Sequence, residues 1–176
     1  VKRELHALQD LGERLTTLVR GDALEAAIAL QLLCPQIPLL FIGEEGASRA
    51  PFFYFTDHSG ELAEAVREGR RREFATFKAF ADPERRAEIP DPNDPETFAR
   101  SLPLPDDEQG LERTAYYHTL LTLRRRELVP RLEGTRTRGA TAIGPAAVQA
   151  CWALGDGTLL TLATNLGGTA VAMDGG

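Results

Sequence analysis

The sequence predicts an α/β protein that ends in an antiparallel β module. The first indication is an amphipathic helix, for which Asp22 and Glu25 form a typical capping box and which Pro35 ends. The second is the continuous apolar run 37–42, closed by Gly43, which is typical of a strand buried on both faces, as in a parallel sheet covered by helices. The third is a change to a period of two near the C-terminus.

Three helices are predicted before the β module. The first begins at Asp22, and its apolar face consists of Leu24, Ala27, Ile28, Gln31 and Leu32. The second covers about 61–80, with a break or kink at Gly69, and the third covers about 111–128 and ends at Pro130. Residues 81–110 hold six of the eleven prolines, so we expect a long ordered loop there without regular structure.

The β module is predicted to be a meander over 146–173. Apolar residues alternate from Val148 to Leu154, and the turn sequence Gly155-Asp156-Gly157 then leads into 158–165. A third run covers 169–173, where the chain stops. A meander that ends this way leaves an unpaired edge, which is typical of a piece cut from a larger protein.

Composition excludes several classes of protein. The chain has 176 residues, 43% of them hydrophobic and 26% charged, which is ordinary for a folded protein and not for a disordered one. The net charge of -6 has the wrong sign for a protein that neutralises phosphates, so we expect no nucleic-acid partner. The charge-free stretch 26–43 is interrupted by two prolines and two glutamines, so we expect no membrane span.

Cysteine usage and the N-terminus favour an excised piece of a cytoplasmic protein. Cys34 and Cys151 are far apart in sequence and form no redox or zinc motif, so both are interpreted as small buried hydrophobic residues. The chain begins at Val1, without Met and without an apolar leader. No cofactor and no metal site is predicted, since no zinc-protease or calcium-loop motif is present.

Acidic residues follow the predicted strand directly. In barrels and open α/β sheets the carboxyl ends of strands carry the active site, which makes Glu44 and Glu45 candidates for chemistry. The alternative is that both carboxylates start a solvated loop. Further along, Asp57 and His58 could act as an acid and a base, or be structural.

Three other patterns have simpler interpretations beside a functional one. The aromatic run 52–55 could stack on a sugar ring, although packing is the more usual role of such residues. Residues 46–50 approach a nucleophile elbow around Ser48, but Ala50 replaces the final glycine and Pro51 follows, so we reject that motif. The arginine runs 70–72 and 124–126 lie in predicted helices among acids and are interpreted as solvated faces.

Four stretches carry a family resemblance. Residues 37–58 read IPLLFIGEEGASRAPFFYFTDH, and they resemble the eighth barrel strand and following loop of the malto-oligosyltrehalose trehalohydrolases, within the alpha-amylase family of glycoside hydrolases. The resemblance extends to 11–15, 62–74 and 89–98. It implies that 1–130 is the C-terminal part of a (β/α)8 TIM barrel, that helix 111–128 is the last barrel helix, and that 131–176 begins an antiparallel β-sandwich domain.

The resemblance also implies a reaction and a site. These enzymes cleave the α-1,4 bond next to the terminal trehalose of maltooligosyl trehalose and release trehalose, so the expected partner is that substrate or a related α-glucan. Retaining chemistry needs two carboxyl groups about 5–5.5 Å apart. The family places them on the fourth and fifth barrel strands, upstream of this chain, so no catalytic residue is expected here. The implied substrate-binding or supporting residues are Glu44, Glu45, Phe55, Asp57 and His58.

The chain departs from the family pattern at two places. The family's third acid belongs to an Asn-His-Asp stretch; an ungapped count puts Glu4 at that position, and its role is not transferred. Gly46 stands where the family usually has an aromatic residue. Two alternatives stay open: another alpha-amylase-family enzyme, such as a glycogen branching enzyme, or a non-catalytic carbohydrate-binding module.

Overall fold

The computed structural model describes residues 12–19, 21–75, 89–104 and 107–172. Its contacts divide the chain into two compact units. The first unit comprises Val1–Leu18 and Ser48–Pro105, and the second comprises Val19–Ala47 and Asp106–Gly176. The helices are α1 (Leu15–Leu18), α2 (Gly21–Leu33), α3 (Gly60–Phe74), α4 (Pro95–Ala99) and α5 (Glu108–Leu123). The strands are β1 (Arg136–Gly144), β2 (Ala147–Ala153) and β3 (Leu159–Asn165).

The core of the second unit lies between α2 and α5. Leu24, Ile28 and Leu32 of α2 pack against Tyr117 and Leu120 of α5. The α2 residues are four apart and so share one helix face, as their spacing predicted. Leu32 is completely buried, and α2 ends one residue later, before Pro35, so the prediction of this helix is confirmed.

The run 124–126 is not uniformly solvated, which corrects the interpretation from the sequence. Beyond α5 the backbone forms a π-helical turn, Arg124–Leu128, and then a 3-10 turn, Val129–Arg131. Arg124 at the start of the first turn is only 7% exposed. Its guanidinium donates hydrogen bonds to the carbonyl oxygens of Leu32 and Gln36, both at 2.8 Å, and to that of Cys34. Arg125 and Arg126 are exposed, as expected.

The segment 37–42 is not a buried strand in this chain, so that prediction is wrong. It has no regular secondary structure, and Ile37 and Leu39 are 93% and 86% exposed. A strand gains its hydrogen bonds and its burial from neighbouring strands. Within the described residues all strands belong to one antiparallel sheet, β1-β2-β3, which offers no parallel partner. The side-chain amide of Gln31 donates to the Leu39 carbonyl at 2.6 Å and holds the segment near α2.

The β module is an antiparallel meander with the predicted hairpin between β2 and β3. Ala147 of β2 pairs with Asn165 of β3, and Ala153 pairs with Leu159. In the connecting turn, Gly157 N–H donates to the Leu154 carbonyl at 2.9 Å. The sequence Gly155-Asp156-Gly157 therefore forms the turn that it predicted.

The other strands of the meander differ from the alternation-based prediction. Strand β1 is almost entirely exposed, so it has no alternating apolar pattern that would reveal it. The last predicted run is not a strand over 169–172, while residue 173 lies outside the described residues. There the chain turns away after β3, and the Asn165 amide donates to the Thr169 carbonyl at 2.8 Å.

The first unit contains α3 and α4. Helix α3 runs without interruption through Gly69, so the predicted break is absent, and the part of the prediction beyond 75 lies outside the described residues. Helix α4 lies inside the stretch predicted to be irregular. It forms because Pro95 occupies its first turn and the Asp94 carboxylate caps it by accepting from Glu96 N–H at 2.9 Å.

No helix in the described part of the chain is long and apolar enough to cross a membrane.

Candidate functional site

Glu44 lies in a tight turn that follows the 37–42 segment. Gly43 has φ +83°, which glycine adopts readily. The Glu44 N–H donates to the Phe41 carbonyl at 3.1 Å, and its carboxylate accepts from Phe41 N–H at 3.1 Å. Ala47 N–H closes the turn by donating to the Glu44 carbonyl at 3.2 Å. One carboxylate oxygen of this half-buried residue is therefore tied to the backbone.

Glu45 is anchored on α5 through its backbone. The Thr114 hydroxyl donates to the Glu45 carbonyl at 3.0 Å, while the Glu45 side chain is exposed. Burial raises the pKa of Tyr117 to about 12, with a further rise from the negative charge of Glu44, opposed by Arg113 and reinforced by Glu45. The charges of Glu44, Glu45 and Arg113 therefore all act on the Tyr117 hydroxyl. These four residues are the candidate site of the second unit.

The aromatic run 52–55 is engaged in packing. Phe53 is buried, with the Arg100 guanidinium 4.7 Å from its ring centroid. Tyr54 is half exposed and stacks with Arg70 at 4.7 Å. The half-buried Phe55 ring lies 5.1 Å from the Phe98 ring. These contacts support the packing interpretation of the run, and they show that Arg70 stacks on an aromatic ring although it was interpreted as part of a solvated face.

Asp57 and His58 are exposed, and their backbone is held by Asn93. The Oδ1 atom of Asn93 accepts a hydrogen bond from the Thr56 hydroxyl at 2.9 Å and another from His58 N–H at 3.0 Å. In addition, Thr56 N–H donates to the Pro92 carbonyl at 2.7 Å. The 56–58 segment is thus attached to residues 90–94, which we call the 90–94 turn.

The 90–94 turn is itself braced by α3. Two guanidinium nitrogens of Arg67 lie 2.7 and 2.6 Å from Oδ2 of Asp91, and Oδ1 of Asp91 accepts from Asn93 N–H at 3.0 Å. Burial alone would raise the pKa of Asp91, but the bonds from Arg67 and Asn93 outweigh it, and the pKa lies below its ordinary value. The Asn93 amide also donates to the Ala63 carbonyl of α3 at 3.3 Å.

The rejected nucleophile elbow has a structural role. Ser48 is buried, and its hydroxyl oxygen accepts from Leu104 N–H at 3.2 Å.

The five residues implied as a site fall into two groups. Phe55, Asp57 and His58 belong to the first unit, and Glu44 and Glu45 belong to the second. Among the described residues, no three His, Cys, Asp or Glu side chains are placed to hold a metal ion. The position of Glu4 lies outside the described residues.

Sequence reasoning missed the residues that hold these groups in place, chiefly Asn93, Asp91 and Thr114. The motif Pro-Asp-Pro-Asn-Asp-Pro does carry a turn signal, because Asn and Asp side chains bond their own backbone. Nothing in it indicates a bond from Asn93 to a hydroxyl 37 residues earlier.

Comparison with known proteins gives one consistent set of relatives, although no protein-family model matches the chain. The malto-oligosyltrehalose trehalohydrolase of Arthrobacter ramosus is 44% identical over 119 residues, which are 65% of this chain and 20% of that protein. The enzyme of the same name from Deinococcus radiodurans is 40% identical over 68% of this chain and 20% of its own length. That from Saccharolobus solfataricus is 51% identical over 35% of this chain and 11% of its own length. The chain thus spans about a fifth of the length of the first two.

A solved structure is similar to this chain in both fold and sequence. A 1.4 Å crystal structure from Salmonella typhimurium, provisionally described as an alpha amylase, superposes with a TM-score of 0.79 and 37% identity. The match covers 94% of this chain and 28% of that one. The resemblance expected from the four sequence stretches is therefore confirmed: this chain is similar in sequence to part of the malto-oligosyltrehalose trehalohydrolases and in fold to part of an alpha-amylase-like protein.

Proposed function

We propose that this chain is the C-terminal part of an alpha-amylase-family glycoside hydrolase that cleaves the α-1,4 bond next to the terminal trehalose of maltooligosyl trehalose. The observation that carries the proposal is the 38–51% identity to several proteins that share one name. The product would be trehalose, and the substrate would be maltooligosyl trehalose or a related α-glucan. A cytoplasmic location belongs to the same proposal.

In this proposal, 1–130 completes a (β/α)8 barrel and 131–176 begins a β-sandwich domain. Support comes from the packing of α2 against α5. Helix α2 precedes the 37–42 segment and α5 comes later in the chain, after α3 and α4, yet the two helices pack against each other, as neighbouring helices do around a barrel. The exposed Ile37 and Leu39 would be covered by barrel strands that are not among the described residues.

The reacting carboxylates would also lie outside the chain, on other strands of the barrel. The chain would instead contribute the loop at the carboxyl end of the eighth strand, where barrel enzymes bind substrate. We assign Glu44 to direct contact with a sugar hydroxyl, since a carboxylate retains acceptor capacity after its bond from Phe41 N–H. In the first unit, Asp57 and His58, on the segment held by Asn93, would help to position the substrate, together with Phe55. In the second unit Glu45 would have a supporting role.

A second candidate is another α-glucan enzyme of this family, such as a branching enzyme. It is favoured by the superposition on an alpha-amylase-like structure at 37% identity, which is close to the identity of the trehalose-releasing relatives. The two candidates differ in the product, because a branching enzyme transfers chains and makes no free trehalose.

The test is a product assay on the protein whose gene encodes this chain. It compares maltooligosyl trehalose with a maltooligosaccharide of the same length. We expect free trehalose from the first substrate and markedly slower cleavage of the second. Equal cleavage of both substrates, or new branch points without trehalose, would assign the chain to the second candidate.

A further inference from the structure

We propose that Asn93 is a positioning residue that fixes the 56–58 segment for substrate binding. The inference rests on the proposed function, since it assigns to Asn93 the placement of Asp57 and His58 in the α-glucan site. Asn93 is not among the residues that the sequence marked for this site. It acts through the backbone of the segment and not through contact with the sugar.

The hydrogen bonds of Asn93 fix the orientation of its amide. A backbone N–H such as that of His58 can only donate, so the Asn93 atom facing it must be the oxygen. The same oxygen accepts from the Thr56 hydroxyl, which uses both of its lone pairs. The nitrogen then faces the Ala63 carbonyl of α3. One side chain therefore links the 56–58 segment to the first turn of a helix.

The 90–94 turn is the more rigid partner in this contact. Arg67 donates to one oxygen of the Asp91 carboxylate and Asn93 N–H donates to the other, and the Thr97 hydroxyl donates to the Asp91 carbonyl at 2.7 Å. Asp57 and His58, in contrast, are exposed and are not part of a helix or strand. The turn therefore determines where the segment lies.

Loss of this link should loosen the segment without unfolding the unit. The bond from Thr56 N–H to the Pro92 carbonyl does not involve the Asn93 side chain and would remain. A displacement of about 1 Å in positioning groups can cost about 100-fold in rate. Because alignment of reacting groups would be lost, kcat and kcat/KM should fall together, whereas loss of a simple ground-state contact would raise KM alone.

The experiment uses the intact protein that contains this chain and compares four variants. Asn93→Ala removes every side-chain bond, and Asn93→Asp keeps the acceptor that serves Thr56 and His58. Thr56→Val removes one accepted bond and leaves the turn unchanged, which covers the case in which Asn93→Ala folds poorly. Asn165→Ala is the matched control: this asparagine of the second unit also bonds its own local backbone, donating to the Thr169 carbonyl and accepting from Gly167 N–H.

The readouts are kcat and kcat/KM on maltooligosyl trehalose, the melting temperature and amide exchange at His58. For Asn93→Ala we expect about tenfold or larger losses in both kinetic parameters and His58 exchange at least about tenfold faster. Asn93→Asp should recover most of the lost kcat and kcat/KM. Thr56→Val should have values between those of Asn93→Ala and the parent, and Asn165→Ala should match the parent.

Three results would overturn the inference. If the parent is active and Asn93→Ala keeps both kinetic parameters within about twofold, the positioning role is refuted but the proposed function is not. Unchanged amide exchange at His58 would have the same meaning. Losses that follow the melting temperature and that Asn93→Asp does not reverse would show a merely structural residue. A parent protein that releases no trehalose would refute the proposed function. The role of Asn93 would then fall as well, because it depends on that function.

Discussion

Arg124 holds a stretch of irregular backbone that has few apolar contacts of its own. Its guanidinium binds the carbonyls of Leu32, Cys34 and Gln36, at the C-terminal end of α2 and just beyond it. The last carbonyls of a helix have no partner within the helix, and a positive charge at that end is favourable. Arg124 therefore sets the direction in which the chain leaves α2 for the 37–42 segment and the Glu44 turn.

Replacement of Arg124 by Met should destabilise the protein by about 2–4 kcal/mol. The change keeps much of the apolar stem but leaves three carbonyl oxygens without their charged donor. The Leu32 carbonyl bond is buried and the other two are partly buried, and unpaired acceptors away from water are costly. The free energy of unfolding from urea titration measures the effect. The neighbouring exposed Arg125→Met is the control and should stay within about 0.5 kcal/mol of the parent. Equal effects of the two substitutions would show that the hydrogen bonds of Arg124 to the three carbonyl oxygens do not stabilise the fold.

Single residues were the hardest part to predict from the sequence. Arg124 stands in a run of three arginines among acids, which is typical of a solvated face. Its true partners are about 90 positions earlier in the chain, so no local pattern could reveal them. The same holds for Asn93 and Thr56. The candidate acids Glu44 and Glu45 are indicated by their place after an apolar run and by the family resemblance of 37–58, and not by any local pattern of their own partners.

Helices and strands with a clear periodic pattern could be predicted from the sequence, and those without such a pattern could not. Helices α2 and α5 carry an apolar stripe and pack along it. Strand β1 is nearly all exposed and shows no stripe, so it was missed. The 37–42 run has the composition of a buried strand, yet it is irregular here because a strand depends on partners that local sequence does not contain.

Replacement of two glycines by alanine, one in a turn and one in a helix, should change the free energy of unfolding in opposite directions. At Gly155, in the β2–β3 turn, a Cβ would lie 1.8 Å from the Glu133 carbonyl oxygen, so backbone must move. We expect Gly155→Ala to lower the free energy of unfolding by about 1–3 kcal/mol. Gly69 lies inside α3 with nothing within 4 Å of a Cβ, so Gly69→Ala should raise it by about 0.5–1 kcal/mol.

Thermal or urea unfolding of both variants measures the two effects. A neutral Gly155→Ala would mean that the turn does not approach Glu133 as closely as described. A destabilising Gly69→Ala would contradict the uninterrupted course of α3.

For the molecule as a whole, sequence identity to known proteins indicates the function more strongly than periodic patterns do. The two compact units, the acids at a turn and the braced 56–58 segment do not by themselves specify a reaction. The proposed reaction depends on sequence identity that covers 65–68% of this chain and 20% of the length of each of two relatives. The motifs IPLLFIGEEG and PDPNDP indicated that family, whereas composition and charge only excluded others.

The decisive measurement is trehalose release by purified 1–176. The proposed function puts the nucleophile and the general acid outside this chain, so we expect no trehalose from maltooligosyl trehalose above the uncatalysed background. The malto-oligosyltrehalose trehalohydrolase of Arthrobacter ramosus serves as the positive control. Turnover by 1–176 that Glu44→Gln or Glu45→Gln abolishes would refute the proposal, since the chain would then carry its own reacting carboxylate.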